Sequence, residues 1–386
     1  MRELSYLDVD ADVLWRPFET LSNGEQTKVL LAALFLNEGH FLLIDEPTNH
    51  LDTAAREKVS AYLQKKKGFI LVSHDRCFLD GCVDHILSLN RNNIEVQSGN
   101  FSSFMRNFEQ QQQFELSQNE RLKKDIHRLQ QSAQRTAVWV EASKIGAADK
   151  GFVGHKAAKM MKRSKSTEAR QQQAIEQKSA LLKNIETADF LKIQPLTYRT
   201  DVLASFSDVS VIYDDRPVFQ PISLEIRRNE RIFLDGKNGC GKSSLLKLLS
   251  EYAPEHTGTV TIGSGLVISY VPQDTSHLGG TLSQFAEKHH LDESLFKAFL
   301  RKMDFERVQF EKDISDFSGG QKKKVLIAKS LCEQAHLYVW DEPLNFIDVY
   351  SRMQIEQLIE TFSPTMLLVE HDNAFREAIA TQVISL

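Results

Sequence analysis

The stretch LSNGEQTKVLLAALFLNEGHFLLIDEPTNHLD, residues 21–52, recurs without a gap 296 positions later as FSGGQKKKVLIAKSLCEQAHLYVWDEPLNFID, residues 317–348. Ser22 falls on Ser318, Gly24 on Gly320, Asp45 on Asp341, Glu46 on Glu342 and Asp52 on Asp348. After one extra residue the match resumes, with ILVSHD from Ile70 over LLVEHD from Leu367. Self-similarity of this length marks two copies of one domain. Each copy reads as a polar turn, an apolar-periodic helix, a short apolar strand ending in Asp-Glu, a second helix, and a second apolar strand ending in His-Asp. Continuous apolar strands alternating with helices predict an α/β fold with a mainly parallel sheet covered on both faces. Ligands of such sheets bind beyond the carboxyl ends of the strands, where both acidic pairs and both histidines lie.

The second copy adds GKNGCGKS, Gly236–Ser243, between the apolar strand RIFLD and the helix KSSLLKLLS. This is the phosphate-loop pattern in its strand–loop–helix setting. Alone it is also compatible with a Gly-rich turn that binds nothing; its partners outweigh that. In the loop Gly236, Lys237, Asn238, Gly239, Cys240 and Gly241 bring backbone N–H groups to the phosphates of ATP. Lys242 reaches the β- and γ-phosphates, Ser243 offers a hydroxyl to Mg²⁺, and Ser244 continues the helix start. Asp341, ending a strand, is placed to hold Mg²⁺ through water, and Glu342 to orient or deprotonate the attacking water. His371 is a candidate donor to the γ-phosphate. Gln273 in YVPQD is a candidate for the metal and the water, and Tyr213, 23 residues before Gly236, for stacking on adenine.

The 386 residues suffice for two or three domains at about 100–200 residues each. Hydrophobic residues make up 41% and charged residues 26%, the balance of a soluble globular protein. No segment nears the roughly 20 apolar residues of a membrane helix. MRELSYLDVDADVLW lacks the basic-then-apolar layout of a signal peptide, so a cytoplasmic location is expected. Cys77, Cys82, Cys240 and Cys332 have neither disulfide density nor metal-ligand spacing, and all four are expected to be reduced.

Net charge is −5 but uneven: residues 119–186 carry 15 Lys/Arg against 7 Asp/Glu, or +8, which leaves −13 elsewhere. Leu122, Ile126, Leu129, Ala133 and Val140 recur at three- and four-residue steps as a narrow apolar seam. Gly146, Gly151 and Gly154 interrupt it, and Met161, Ile175, Leu182 and Ile185 mark a second helical run. The pattern predicts an antiparallel helical hairpin, about 45–60 Å long for arms of roughly 30–40 residues. Lys144, Lys150, Lys156, Lys159, Lys162, Arg163, Lys165 and Arg170 make its tip and second arm basic, with Trp139, Phe152 and His155 as stacking surfaces. A solvated coiled-coil face is the plain alternative; the charge asymmetry favours RNA.

These motifs resemble the ATP-binding-cassette (ABC) ATPases over nearly all of the chain outside the middle. FSGGQ and LSNGEQ look like that family's signature, NHLD and NFID like its D-loop, SHD and EHD like its switch histidine. The resemblance implies two cassettes closing head to tail, with each ATP between one phosphate loop and the other cassette's signature. Ser22 and Gly24 would then complete the site built on Lys242. Asn23 stands where the family has Gly, a change expected to be tolerated because Asn accepts left-handed backbone geometry.

Two cassettes in one chain joined by a charged helical linker resemble the ABC-F family of translation factors. Within it, VLWRPFETLSNGEQTKVLLA, GNFSSF, GFVGHKAAKMMKRSKS, GKNGCGKSSLLKLL and LYVWDEPLNFIDVYSRMQIEQLI look like the Lsa-type antibiotic-resistance members. That resemblance implies a ribosomal partner: the linker, residues 119–186, would meet rRNA and tRNA and displace lincosamides, streptogramin A and pleuromutilins. Residues 1–100 are expected to be an incomplete first cassette, 101–195 the linker and 196–386 a complete second cassette. Three other readings stay open: the ATPase subunit of a transporter, a DNA-repair ATPase with a coiled-coil arm, and a housekeeping ABC-F factor.

Ser318 lies 82 positions after Gly236, so the loop matching Ser22 would begin about sixty positions before Met1. A fragment of a longer gene is therefore expected, with a one-site protein or a non-functional fragment as alternatives. Asp45, Glu46 and His74 would face a site without its phosphate-gripping half, and Ser318–Gln321 no opposing lysine. Apolar surface on VLLAALFL and FLLI would lie exposed.

Overall fold

Two serines start the repeated helix in the same way. After a short helix α1 (Arg2–Tyr6), Ser22 caps α2 (Asn23–Leu34): its hydroxyl accepts from the Glu25 amide, and the Glu25 carboxylate accepts from the Ser22 amide at 2.8 Å. Ser318 and Gln321 form the same reciprocal box in the second copy. Both boxes satisfy N–H groups that a helix start leaves bare. Asn23 is the first helical residue, not a left-handed one, which corrects the expectation from its sequence. Its counterpart Gly319 has room: an added Cβ would meet only Phe346, at 3.8 Å. Asn23 is accepted because the position is open.

The computed structural model describes residues 2–36, 39–49, 51–89, 94–145, 192–250 and 253–386. Contacts divide the chain into one unit of Met1–Phe101 with Ala188–Leu386 and a second of Ser102–Thr187. In the first unit β1 (Leu42–Asp45) pairs parallel with β2 (Phe69–Val72), and α3 (Thr53–Leu63) connects them. Helix α4 (Arg76–Cys82) and the antiparallel hairpin β3 (His85–Leu89) and β4 (Ile94–Ser98) follow. Asp52 caps α3 and Asp75 caps α4, so acids of the repeated motifs also serve local structure.

Helix α5 (Phe101–Ile145) runs into the second unit. With 45 residues and no Gly or Pro it spans about 67 Å at 1.5 Å per residue, longer than the expected arm. Ile126 of the seam is buried and Leu122 half-buried, while Arg121, Lys123, Lys124 and Arg128 are exposed. The side chains of Leu129, Ala133, Trp139, Val140 and Lys144, and the whole proposed turn, basic tip and second arm, lie outside the described residues.

The second copy is fuller. An antiparallel layer joins β5 (Val202–Tyr213), β6 (Arg216–Pro217) and β7 (Ile222–Arg227), with β9 (His256–Ile262) also on β5. The parallel sheet has the order β10-β11-β12-β8-β13, from β8 (Arg231–Asp235), β10 (Ile268–Val271), β11 (Leu337–Asp341), β12 (Met366–Val369) and β13 (Gln382–Ser385). Its helices are α6 (Lys242–Lys247), α7 (Leu282–Lys288), α8 (Glu293–Lys302), α9 (Gly319–Cys332), α10 (Val349–Phe362) and α11 (Asn373–Ile379). Two buried clusters sandwich the parallel strands; one joins Leu337, Val339, Leu367 and Val369 to Ile232, Leu245, Leu246 and Leu249.

The first copy keeps only one side of that sandwich. Ile44 packs with Val59, Leu63 and Phe78, but Leu43 is 70% exposed where its counterpart Val339 is 0%. Phe41, Ile70 and Val72 are exposed where Leu337, Leu367 and Val369 are fully buried. The apolar surface expected from the sequence is there. The four cysteines are free thiols.

Candidate functional site

The phosphate-loop stretch follows β8, where the Asp235 carboxylate accepts from the Gly236 amide at 2.9 Å. Gly241 caps α6 at φ 98°, in the left-handed region, and a Cβ there would sit 2.7 Å from the Phe219 ring. Glycine is therefore required on both counts. Cys240 turns its sulfur toward Gly236. The buried Lys242 ammonium folds over its own loop and donates to the carbonyls of Gly236 at 2.8 Å and Lys237 at 3.0 Å.

Asp341, which ends β11, and Glu342, which follows it, are in opposite electrostatic states. The Asp341 carboxylate accepts from the Ser243 hydroxyl at 2.9 Å, yet burial pushes it up to about 6. Burial also works against the Glu342 charge. His371, Gln273 and Asn345 outweigh that burial and hold the carboxyl at about 2. Gln273 donates to it at 2.8 Å and Asn345 at 2.7 Å, and the His371 ring stands 3.7 Å away. His371 is 6% exposed, and among the described residues neither ring nitrogen makes a hydrogen bond. Buried imidazole nitrogens without partners are costly and mark a place for an incoming polar group.

These groups share a cavity of about 880 Å³. The second copy lines it with Tyr213, Lys237, Asn238, Gly239, Gly241, Lys242, Ser243, Ser244, Gln273, Glu342 and His371. The first copy supplies Ser22, Asn23, Gly24 and Glu25 to the same cavity. Gly236, Cys240 and Asp341 are not among the residues that line it. The size suits a nucleotide, and the donors are those a polyphosphate needs: an ammonium, loop amides, a helix start and an orphaned imidazole. The residues also fit Mg²⁺, because the buried Asp341 carboxyl, raised by burial, is bonded to a neutral hydroxyl.

Asn345, Val218, Lys28 and Arg56 also line the cavity and had no assigned role in the sequence. Asn345 was visible as a repeated residue, and Arg56 and Arg352 repeat at the same spacing just past the quoted stretch. The other half-site differs. Glu46 lies 3.5 Å from His74, and burial pushes its carboxyl up to about 7. Asp45, Glu46 and His74 do not line this cavity.

The sequence pattern of the family described as ABC transporter matches residues 219–345. A ribosome protection protein, VmlR of Bacillus subtilis (strain 168), is 30% identical over 384 residues, covering 94% of this chain and 68% of that protein. ABC transporter F family member 5 of Arabidopsis thaliana is 27% identical over 397 residues. The chain belongs to the ABC-F family. This ABC-F chain spans all of its own length in the plant match but only 54% of the plant protein. Its fold is also that of a chain in the crystal structure of the archaeal ribosome recycling factor aABCE1 with the ribosomal stalk protein aP1. There the TM-score is 0.65 at 19% identity, covering 100% of this chain and 65% of the other. Among the described residues no helix of this ABC-F protein is long and apolar enough to cross a membrane.

Proposed function

We propose that this chain binds and hydrolyses ATP at one composite site and couples that to action on the ribosome. The observation that carries the reading is the shared cavity, lined both by Lys242 of one cassette and by Ser22 of the other. In this reading the amides of Gly236–Gly241 and the Lys242 ammonium grip the phosphates, and Tyr213 stacks on the base. Ser243, Gln273 and Asp341 would hold Mg²⁺, which when bound neutralises phosphate charge. Glu342 stays ionised at neutral pH, so it orients a water by accepting its hydrogen bond, and Gln273 and Asn345 aim the carboxylate. His371 donates to the γ-phosphate, and Ser22 and Gly24 close the site from the other side.

The finer assignment is an Lsa-type protein, cytoplasmic, that protects ribosomes from lincosamides, streptogramin A and pleuromutilins. Its parts are residues 1–100, 101–195 and 196–386, with the basic stretch 119–186 meeting rRNA and tRNA. The name of the Bacillus subtilis relative, ribosome protection protein, supports this over a factor without drug effect, and the +8 charge of 119–186 supports contact with RNA. The exposed face around Leu43 supports the reading that the chain is part of a longer gene product.

Glu342→Gln tests the function. The variant should bind ATP, hydrolyse it far more slowly, and co-sediment with ribosomes in an ATP-dependent form. Unchanged turnover with no ribosome trapping rejects the assignment. Drug susceptibility of cells expressing the protein tests the finer one.

A further inference from the structure

Arg56 of the first cassette and Arg352 of the second occupy equivalent places on α3 and α10. Each starts alike: Arg56 Nε donates to the Leu51 carbonyl at 3.0 Å, Arg352 Nε to the Ile347 carbonyl at 2.9 Å. Beyond that they diverge. Arg352 spends Nη1 on Asp372 at 2.8 Å and Nη2 on the Leu344 carbonyl at 2.9 Å, all within its own cassette. Arg56 divides Nη1 between Asp75 at 2.9 Å and the carbonyl of His371 at 3.1 Å, in the other cassette.

His371 is thereby held at both ends of its backbone. Its amide donates to the Glu370 carboxylate at 2.8 Å, a contact within its own cassette, while its carbonyl is held by Arg56. Its buried ring makes no hydrogen bond among the described residues, so beyond the Glu342 carboxylate 3.7 Å away it is backbone restraint and packing that aim it. The Arg56 side chain is half-buried and ion-paired to Asp75. It lines the cavity with Nε and Nη1 committed to protein oxygens, and the split between kcat and KM separates action through His371 from a direct ligand contact by Nη2.

We propose that Arg56 is a positioning residue for His371, reaching across from the first cassette to fix the histidine that lines the cavity with the phosphate loop. The reach runs one way, toward the half that carries Lys242. The inference rests on the cavity being an ATP site. Reacting groups misplaced by about 1 Å lose on the order of a hundredfold in rate, so restraint of this carbonyl affects turnover more than binding.

The test is steady-state ATP hydrolysis by the full chain carrying Arg56→Met, Arg56→Lys, His371→Ala, or Arg56→Met with His371→Ala. Arg56→Met should lower kcat roughly tenfold with KM within about twofold, and Arg56→Lys should recover part of the loss. The double variant should be no slower than His371→Ala alone. Where Arg56→Met is unstable because Asp75 is left without its partner, Arg56→Met with Asp75→Asn takes its place. An unchanged kcat, a loss confined to KM, or losses that multiply in the double variant would overturn the proposal. Lys242→Ala separates the two ways of failing. If the unaltered chain hydrolyses ATP no faster than Lys242→Ala, the ATP reading falls and this inference with it. If Lys242→Ala is inactive and Arg56→Met is normal, only the positioning role falls.

Discussion

Arg76 of the first cassette and Glu356 of the second form a two-point ion pair with side chains only 14% and 11% exposed. The repeat provides no mirror image of it, because Ser60 and Asn373 stand at the equivalent positions. The charge contact that Arg76 makes across the two cassettes, with Glu356 and at 3.9 Å with Asp372, is therefore asymmetric. Removing one partner of such a pair strands the other, at about 3–5 kcal/mol. Arg76→Met should lose about that much stability in urea unfolding, and Arg76→Met with Glu356→Met should regain most of it. Equal stabilities for single and double variants would show that the pair contributes nothing.

The uncovered face of the first cassette predicts unequal responses to one substitution. Leu367→Ala opens a cavity in a fully buried strand and should cost about 2–5 kcal/mol. Ile70→Ala, at the equivalent place on β2 with 45% exposure, should cost under about 1 kcal/mol. Chemical denaturation of both variants measures the difference, and similar costs would mean the face is covered in solution.

Glu46 gives a pH signature. Its carboxyl is raised from 4.5 to about 7, with burial the main cause and Arg352 opposing. The folded state therefore holds an extra proton between those values, and its stability falls as pH rises through that window. Glu46→Gln should match the unaltered chain near pH 4 and exceed it near pH 8, by on the order of 2–3 kcal/mol. A variant no more stable at the higher pH contradicts the burial argument.

Much of this architecture could be read from the chain. The repeat announced two α/β copies, and GKNGCGKS announced a phosphate loop, because backbone geometry there demands Gly241 and chemistry demands Lys242. Asn345 and Arg56 escaped, since an amide and an arginine on a helix carry no fixed chemistry until folding brings them beside Glu342 and His371. Asn23 was misread because helix position decides its conformation more than intrinsic preference. The length of α5 was underestimated because its apolar stripe at Phe101, Phe104, Met105 and Phe108 is separated from the seam at Leu122 by the run EQQQQ, residues 109–113, which is helix-compatible in composition but carries no apolar periodicity.

The composite site is tested most directly by comparing ATP turnover in Ser22→Ala and Ser318→Ala. Both serines cap a helix through the same reciprocal box, so each substitution should cost about 1 kcal/mol of stability. Only Ser22 lines the cavity with Lys242. Ser22→Ala should lower kcat by roughly tenfold or more, as loss of a transition-state donor does, while Ser318→Ala stays within about twofold of the unaltered chain. Equal turnover in the two variants, or a loss confined to Ser318→Ala, would contradict the account.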